Sequence, residues 1–600
     1  MRSVVLDFET TYADGYTLSS MTTEEYVRDP RFETILCGFK VGNEPGYWVD
    51  GPQVGEHLRE LQLQDCAVVA HHAHFDGLIL NHHYGIRPKL WLDTLSMARA
   101  VDGSRQRLSL AQCCKRHGLI DKGDMVEKVK GLRRADFSPD LLRRYGDYCV
   151  NDCEREYDLL KIYAPHFCRS ELELIDSVIR MFTEPVLGLD VAKLEQYVQE
   201  LRTATTVALL KAGVQLADVR SNDKFAATLR FFGIVPPMKI SKTTGKPTYA
   251  FAKTDEAMQE LAEHPDDDVQ ALVAARLNAK STLNMTRALR MIGIAGRGAA
   301  PVYIKYYGAG MTGRHSGGDK MNWQNNQRGG VVRDAIHAPD GHVLVVCDSK
   351  NIESRTEDWL AMQEDQVEAY RLYDAGLGPD IYCVMAAKIY GRLITEKDKK
   401  ERFIGKTAKL GLGYGMGAEK FSITAKIPLT QAEEIKAVYR ASHHRVVALW
   451  KRGQAALEYV LAGVVGVGVD PRGIITTVKD GLLLPNGLVL KYPELRKDPR
   501  TGQFSYWDGK ARQHIYGGKV IENIVQALAR IIVMEQTLMV KAHRLVLSVH
   551  DEGVWCVPVK FARACQREVE AAFRTPLWWC KDLPLNCDSG IHRVYGQAKT

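Results

Sequence analysis

Apolar and polar positions along this chain alternate between short unbroken apolar runs and longer stretches with a helical repeat. Ser3 to Leu6, Cys66 to Ala70, His342 to Cys347 and Leu545 to Val549 are apolar runs too short for a helix and rich in β-branched residues, so they predict buried strands. Each runs straight into acids or histidines: Asp7-Phe8-Glu9, His71-His72-Ala73-His74-Phe75-Asp76, Asp348, and His550-Asp551-Glu552. The last run is followed by the extended stretch Val554 to Val557, which places Asp551 at a hairpin tip. Helical spacing governs Leu141 to Glu156, where Tyr148 and Asp152 share a face, and most of Ser170 to about Ala300. The stretch Arg402 to Gly417 carries Arg402, Lys406, Leu410 and Tyr414 at intervals of four. One predicted helix face therefore bears two cations, an aliphatic residue and a tyrosine.

Composition narrows the class without choosing a function. The 600 residues are 45% hydrophobic and 26% charged, values of a globular protein long enough for several domains. No apolar run approaches the roughly 18 residues of a membrane span, and Asp7 interrupts the N-terminus before a signal-peptide core can form. A net charge of +7 permits a polyanionic partner but does not argue for one. The 13 cysteines lack zinc-finger or ribbon spacing, which fits reduced thiols in a cytoplasmic protein.

The candidate chemistry is carboxylate-based. Asp7 and Glu9, two apart on a strand, point the same way and offer the oxygen ligands that hard divalent cations prefer. The three histidines before Asp76 lack a further ligand at zinc spacing and suit a helix-capping turn. Asp7-x-Glu9, then Asp76, then Tyr148-x-x-x-Asp152 resembles, in order and spacing, the DEDDy family of proofreading 3′–5′ exonucleases. The resemblance implies that Asp7, Glu9, Asp76 and Asp152 bind two Mg²⁺ and that Tyr148 orients the attacking water. His72 stands where that family usually has Asn.

Further along, Lys239 to Thr248 is a loop of Lys, Ser, Thr and Gly whose donors suit phosphate oxygens, with Lys242 and Lys246 its candidate DNA contacts. Thr312-Gly313-Arg314 and Asn322-Trp323-Gln324-Asn325 precede Asp348-x4-Glu353-x-Arg355. Then come Arg402-x3-Lys406-x3-Leu410-x3-Tyr414-Gly415 and His550-Asp551-Glu552. Together these resemble the motifs of family A DNA polymerases, with a Klenow-like order of exonuclease then polymerase. The resemblance implies Asp348 and Asp551 as ligands of two Mg²⁺ and Lys406 as general acid. It places Arg402, Lys406, Leu410, Tyr414, Glu353 and Tyr382 around the nucleotide, with Glu353 as a steric gate against ribose. Arg314, Asn322, Gln324, Asn325, Gln526 and His550 are the implied DNA contacts. Departures from the family are Ser349 for Tyr, Leu410 for Phe or Tyr, and Tyr382 for His.

The expected fold is α/β multidomain: an RNase H-like 3′–5′ exonuclease domain (1–165) followed by a right-hand polymerase. Its parts would be thumb (166–300), palm (301–365 and 481–600) and fingers (366–480). The expected partners are primer–template DNA and dNTPs, and a processivity factor or other replisome proteins are open additions. The chain is expected to be a monomer without a membrane segment. It resembles bacteriophage replication polymerases most, lacking the 5′-nuclease domain, and would act in the host cytoplasm. A single-subunit RNA polymerase shares the polymerase motifs, but Glu353 and the exonuclease set argue against it. A catalytically dead DNA-binding protein leaves the complete carboxylate sets unexplained, and a standalone exonuclease leaves Asp348, Asp551 and the Arg402–Tyr414 stretch unexplained.

Overall fold

The computed structural model describes residues 1–119, 125–241, 245–280 and 282–598 and has mixed α/β content. At the N-terminal end, β1 (Ser3–Thr10), β2 (Thr34–Val41), β3 (Tyr47–Asp50), β4 (Ala67–Ala70) and β5 (Leu90–Asp93) form one sheet in the order β3-β2-β1-β4-β5. β1, β2 and β3 pair antiparallel, whereas β1, β4 and β5 pair parallel. β4 reads Ala-Val-Val-Ala and is buried along its length, as a central parallel strand covered on both faces requires. Helices α1 (Ala73–Tyr84) and α2 (Pro139–Tyr163) cover this sheet. Ser138 accepts a hydrogen bond from the Leu141 amide and Pro139 opens the first turn, so the start of α2 is written locally.

Two helix boundaries and one strand boundary differ from the sequence-based expectation. β1 continues past Leu6 to Thr10, because its ladder with β2 carries Asp7 and Glu9 inside the strand. The His-rich turn does not cap α1: His72 has φ +90°, and the Asp93 carboxylate at the end of β5 accepts from the His72 and Ala73 amides at 2.8 and 3.0 Å. The expected stripe through Tyr414 is also cut short, as described below.

α3 (Arg169–Thr183) packs on β5 and α1 and leads into α4 (Val191–Lys211), which lies against α5 (Asp267–Lys280) and α6 (Thr282–Arg297). Between α4 and α5 sits a small core of its own around Phe225, Leu229, Phe251 and Leu272, carrying the hairpin Met238–Ile240 with Pro247–Tyr249. Lys246 is exposed at that hairpin, and Lys242 lies outside the described residues.

The C-terminal half is built on a second, all-antiparallel sheet of β6 (His342–Ser349), β7 (Arg544–Val549), β8 (Glu552–Pro558) and β9 (Cys587–His592), ordered β7-β8-β6-β9. Around it lie α7 (Ile352–Leu360), the long buried helix α12 (Gly517–Met539) and α13 (Ala562–Arg574). Inserted between α7 and α12 is a helical layer of α8 (Ile381–Tyr390), α9 (Lys399–Leu412), α10 (Leu429–Ser442) and α11 (His444–Leu461). α8 and α9 pack tightly at Gly405, where a Cβ would sit 2.2 Å from the Tyr382 carbonyl oxygen. Among the described residues no helix is long and apolar enough to cross a membrane.

Candidate active sites

The N-terminal carboxylates converge on one face of the first sheet, at its central strand β1. Asp7 and Glu9 alternate with the buried Leu6, Phe8 and Thr10, so both side chains leave the same face of β1. Asp76, in the first turn of α1, accepts from the Phe8 amide at 3.1 Å and so is tied to the backbone between those two acids. Burial, and then the nearby Asp7, push the Asp76 carboxyl well above its ordinary value. Helix α2 crosses this face with Tyr145, Tyr148, Cys149, Asp152 and Glu156 at helical spacing, and all five are buried.

Three of those residues were missed in the sequence. The Tyr145 hydroxyl donates to Glu9 at 2.5 Å, and the Tyr148 ring stacks on Tyr145 at 6.1 Å. The Cys149 thiol lies 3.7 Å from an Asp7 carboxylate oxygen. Glu156, one turn beyond Asp152, is raised well above the ordinary carboxylate range by burial and then by Asp7, Cys153, Asp76 and Asp152. The signal was available: positions 145, 149, 152 and 156 continue the Tyr148–Asp152 face by steps of three and four. As for metal fit, Asp7, Glu9 and Cys149 each bring one ligand atom within 4.8 Å of the others. Hard carboxylate oxygens crowded together, with the neighbouring Asp76 and Glu156 carboxyls pushed up, are a donor set that a divalent cation would neutralise.

His72 is half-buried. Its Nε2 is 2.7 Å from the Tyr303 hydroxyl, and burial lowers its pKa to about 4, so the ring is neutral at physiological pH. His74 stacks on the same tyrosine at 4.3 Å. The histidine pair therefore braces the N-terminal sheet against the start of the C-terminal half.

The second carboxylate pair is assembled by the other sheet. Asp348 lies near the end of β6, opposite Glu552 in the register, and the Asp551 carbonyl accepts from the Ser349 amide at 3.0 Å. Asp348 and Asp551 are thereby brought to one end of β6 and the β7–β8 turn, where His550 takes φ +53° to turn the corner. Arg328 reaches Asp348 at 3.2 Å, so a cation already answers this carboxylate. Its cross-strand partner Glu552 is engaged in a buried bond with Arg333 at 3.1 Å.

The cationic face of α9 lies against Tyr382, a ring within electrostatic reach of Asp551. Arg402 and Lys406 lie 5.4 and 5.7 Å from the Tyr382 ring centroid, and Arg402 is held at 2.5 Å by Asp380. Asp380 also caps α8, accepting from the Tyr382 amide at 2.6 Å, so one acid fixes both the ring and the guanidinium. Burial, and then Asp380 and Asp551, raise the Tyr382 phenol, against an Asn351 hydrogen bond and Arg402, which lower it. α9 ends at Leu412, which corrects the single-stripe expectation: Arg402, Lys406 and Leu410 are helical, but Tyr414 sits in the following turn. Gly415 at φ +77° makes that turn, and a helix cannot continue through it.

The expected DNA contacts are not alike. Arg314 pairs with Glu353, and burial lowers its pKa while Asp551 pulls it up, so it lies in the same electrostatic neighbourhood. Gln526 is half-buried on α12 beside Glu522 at 3.4 Å, and Asn325 and His550 are exposed. Asn322 spends its side-chain oxygen capping the Gln324 amide at 3.0 Å. Gln324 itself is buried and donates to the Ser548 carbonyl at 3.1 Å, which ties it to β7.

The model of DNA polymerase family A matches residues 191–458. The chain is 24% identical to the DNA polymerase of Bacillus phage SP02, covering 99% of this chain and 100% of that protein. It is 25% identical to DNA polymerase I of Synechocystis sp. over 82% of this chain and 49% of that protein. With DNA polymerase I of Pseudomonas aeruginosa it shares 25% identity over 60% of this chain and 40% of that protein. The chain thus spans about half, or less, of these bacterial relatives. Among solved structures it is similar to the POL domain of Pol1 from M. smegmatis in complex with DNA primer-template and dNTP. The TM-score is 0.70 at 18% identity, covering 100% of this chain and 96% of that one.

Proposed function

We propose that this chain, which belongs to DNA polymerase family A, extends a DNA primer along a DNA template and removes nucleotides from the primer 3′ end at the carboxylate site of its N-terminal sheet. One observation carries the polymerase reading. Asp348 and Asp551 are brought together by the β6–β8 ladder and the Ser349–Asp551 hydrogen bond, and Asp551 acts on Tyr382, the ring that Arg402 and Lys406 flank. A nucleoside triphosphate has its charge at one end and its base at the other, which suits cations along α9 followed by Tyr414 at its end.

Asp348 and Asp551 would hold two Mg²⁺, and Asp7, Glu9, Asp76 and Asp152 two more. Bound there, the ions supply activation of an attacking oxygen and neutralisation of charge on the leaving one. The chain's own residues do the rest. Arg402 and Lys406 bind the triphosphate, and Lys406 gives a proton to the departing pyrophosphate. Glu353, fixed by Arg314, fills the space of a ribose 2′-hydroxyl. Arg314 and Gln526 reach minor-groove acceptors that every base pair presents, which tests pairing geometry without reading sequence.

The exonuclease reading is supported by the four acids and by the order β3-β2-β1-β4-β5, an RNase H-like arrangement. Tyr148, packed on Tyr145 above Glu9, would orient the attacking water. The similarity to the phage enzyme favours a role in phage DNA replication. The test is a labelled primer–template with Mg²⁺, with and without the four deoxynucleotides. Extension with nucleotides and shortening without them is the expected result. A primer that neither grows nor shrinks would overturn both assignments.

A further inference from the structure

Beneath the turn that carries Tyr414 lies a buried acidic pair with a single cation. Lys409 on α9 meets Asp358 on α7 at 2.7 Å with both side chains fully buried, and the Tyr370 hydroxyl donates to Asp358 at 3.1 Å. Beside them Glu357 is 1% exposed, and its Oε1 has no hydrogen-bond partner among the described residues. The Gly413 backbone rests on this carboxyl: a Cβ at Gly413 would lie 2.6 Å from Glu357 Oε2 and 3.0 Å from Oε1. From the opposite side Trp450 of α11 donates to the Gly413 carbonyl at 2.7 Å. The Tyr414 carbonyl in turn faces Gly518 of α12, where a Cβ would sit 2.5 Å away. The C-terminal end of α9 is therefore seated on α7, while its Arg402 end is half-exposed and held by one acid.

We propose that Glu357 is a positioning residue for Tyr414: it forms the floor on which the Gly413–Gly415 turn rests, and so governs discrimination between correct and mismatched nucleotides. The proposal rests on the polymerase reading. A misplaced floor shifts the tyrosine beside the template base while leaving Asp348, Asp551 and Lys406 in place, so selectivity suffers ahead of chemistry. Charge sharpens the prediction. Glu357 is faced by Lys409 of α9, Asp358 of α7, Glu522 of α12, Tyr439 of α10 and the Tyr414 phenol. Burial raises its pKa to about 8, with Lys409 opposing and Asp358 and Glu522 reinforcing the rise. Because Lys409 is already matched by Asp358, an ionised Glu357 is a second anion against one cation directly under Tyr414.

The experiment uses the full chain carrying Asp7→Ala, alone and with Glu357→Gln or Glu357→Ala. Correct and mismatched single-nucleotide insertion are followed from about pH 6.5 to about pH 9. The Asp7→Ala chain should lose selectivity as pH rises past about 8. Glu357→Gln should hold its selectivity flat there. Glu357→Ala should lower the ratio of correct to incorrect kcat/KM about tenfold, mainly through the KM for the correct nucleotide. Amide exchange of the peptide around Gly413, measured without substrate, should quicken in Glu357→Ala but not in Glu357→Gln. Equal loss of kcat on both nucleotides, identical pH profiles for the parent and Glu357→Gln, or unchanged exchange in Glu357→Ala would each overturn the proposal. Failure of the parent to extend any primer overturns the polymerase reading instead, and exchange still decides whether the floor exists.

Discussion

Replacing Glu171 by Gln should destabilise the whole chain while harming polymerisation more than primer shortening. Glu171 on α3 is fully buried and accepts from Arg530 of α12, from the Tyr306 hydroxyl at 2.6 Å and from the Asn486 amide at 2.7 Å. Burial alone would raise this carboxyl, but Arg530, Tyr306 and Asn486 bring it below its ordinary value, so it is charged in the fold. Arg530 has a side chain only 3% exposed, and Glu171 is the one carboxylate hydrogen-bonded to it among the described residues. The amide of Gln preserves shape and two acceptor contacts yet leaves the guanidinium without a counter-charge, a change that costs about 3–5 kcal/mol. Against a typical reserve of about 5–15 kcal/mol that loss is large. Urea unfolding followed by circular dichroism should show the midpoint fall at constant slope. The double variant Glu171→Leu with Arg530→Met removes both charges and should recover most of the loss, since an apolar pair of similar volume is often as stable as a buried ion pair. Arg530 lies one turn beyond Gln526 on α12, so loosening it disturbs the helix expected to face the minor groove. A Glu171→Gln midpoint within about 1 kcal/mol of the parent, or a double variant as unstable as the sum of its singles, would refute this account.

Asp551→Asn should abolish extension and spare primer shortening, whereas Asp7→Ala should do the reverse; loss of both activities in either variant would argue against separate sites. Glu353→Ala should admit ribonucleotides, with lower overall activity because Arg314 loses its partner; unchanged sugar discrimination in single-turnover insertion would remove the gate assignment. Gly405→Ala should destabilise by about 1–3 kcal/mol, because the new methyl group meets the Tyr382 carbonyl oxygen 2.2 Å away and must force α9 off α8. Its KM for nucleotide should rise with the displaced Arg402 and Lys406; an unchanged KM with normal stability would mean that the two helices adjust freely.

What the sequence made legible was whatever is local or repeated. The strands and their acids were readable because a short β-branched run and the acid after it lie within ten residues, although Asp7, Glu9 and Asp348 fall inside their strands and not beyond the ends. The start of α2 was equally local, in Ser138 and Pro139. Contacts made across the fold were not readable. Asp93 caps α1 from twenty residues away, Gln324 turns inward to a carbonyl of β7, and Lys409 finds Asp358 across 51 positions. In each case a polar side chain that looks free in the sequence is consumed by a buried backbone group or charge, because the interior leaves few such groups without partners. A different cause took Tyr414 off the predicted stripe. Period four reads equally well across a helix end, and the signal that breaks it is glycine: Gly411, Gly413, Gly415 and Gly417 alternate through the segment, and Gly415 takes a positive φ. A four-residue period running into alternating glycines therefore predicts a helix followed by a turn, and it puts the last residue of the stripe on that turn and off the helix that carries the cations.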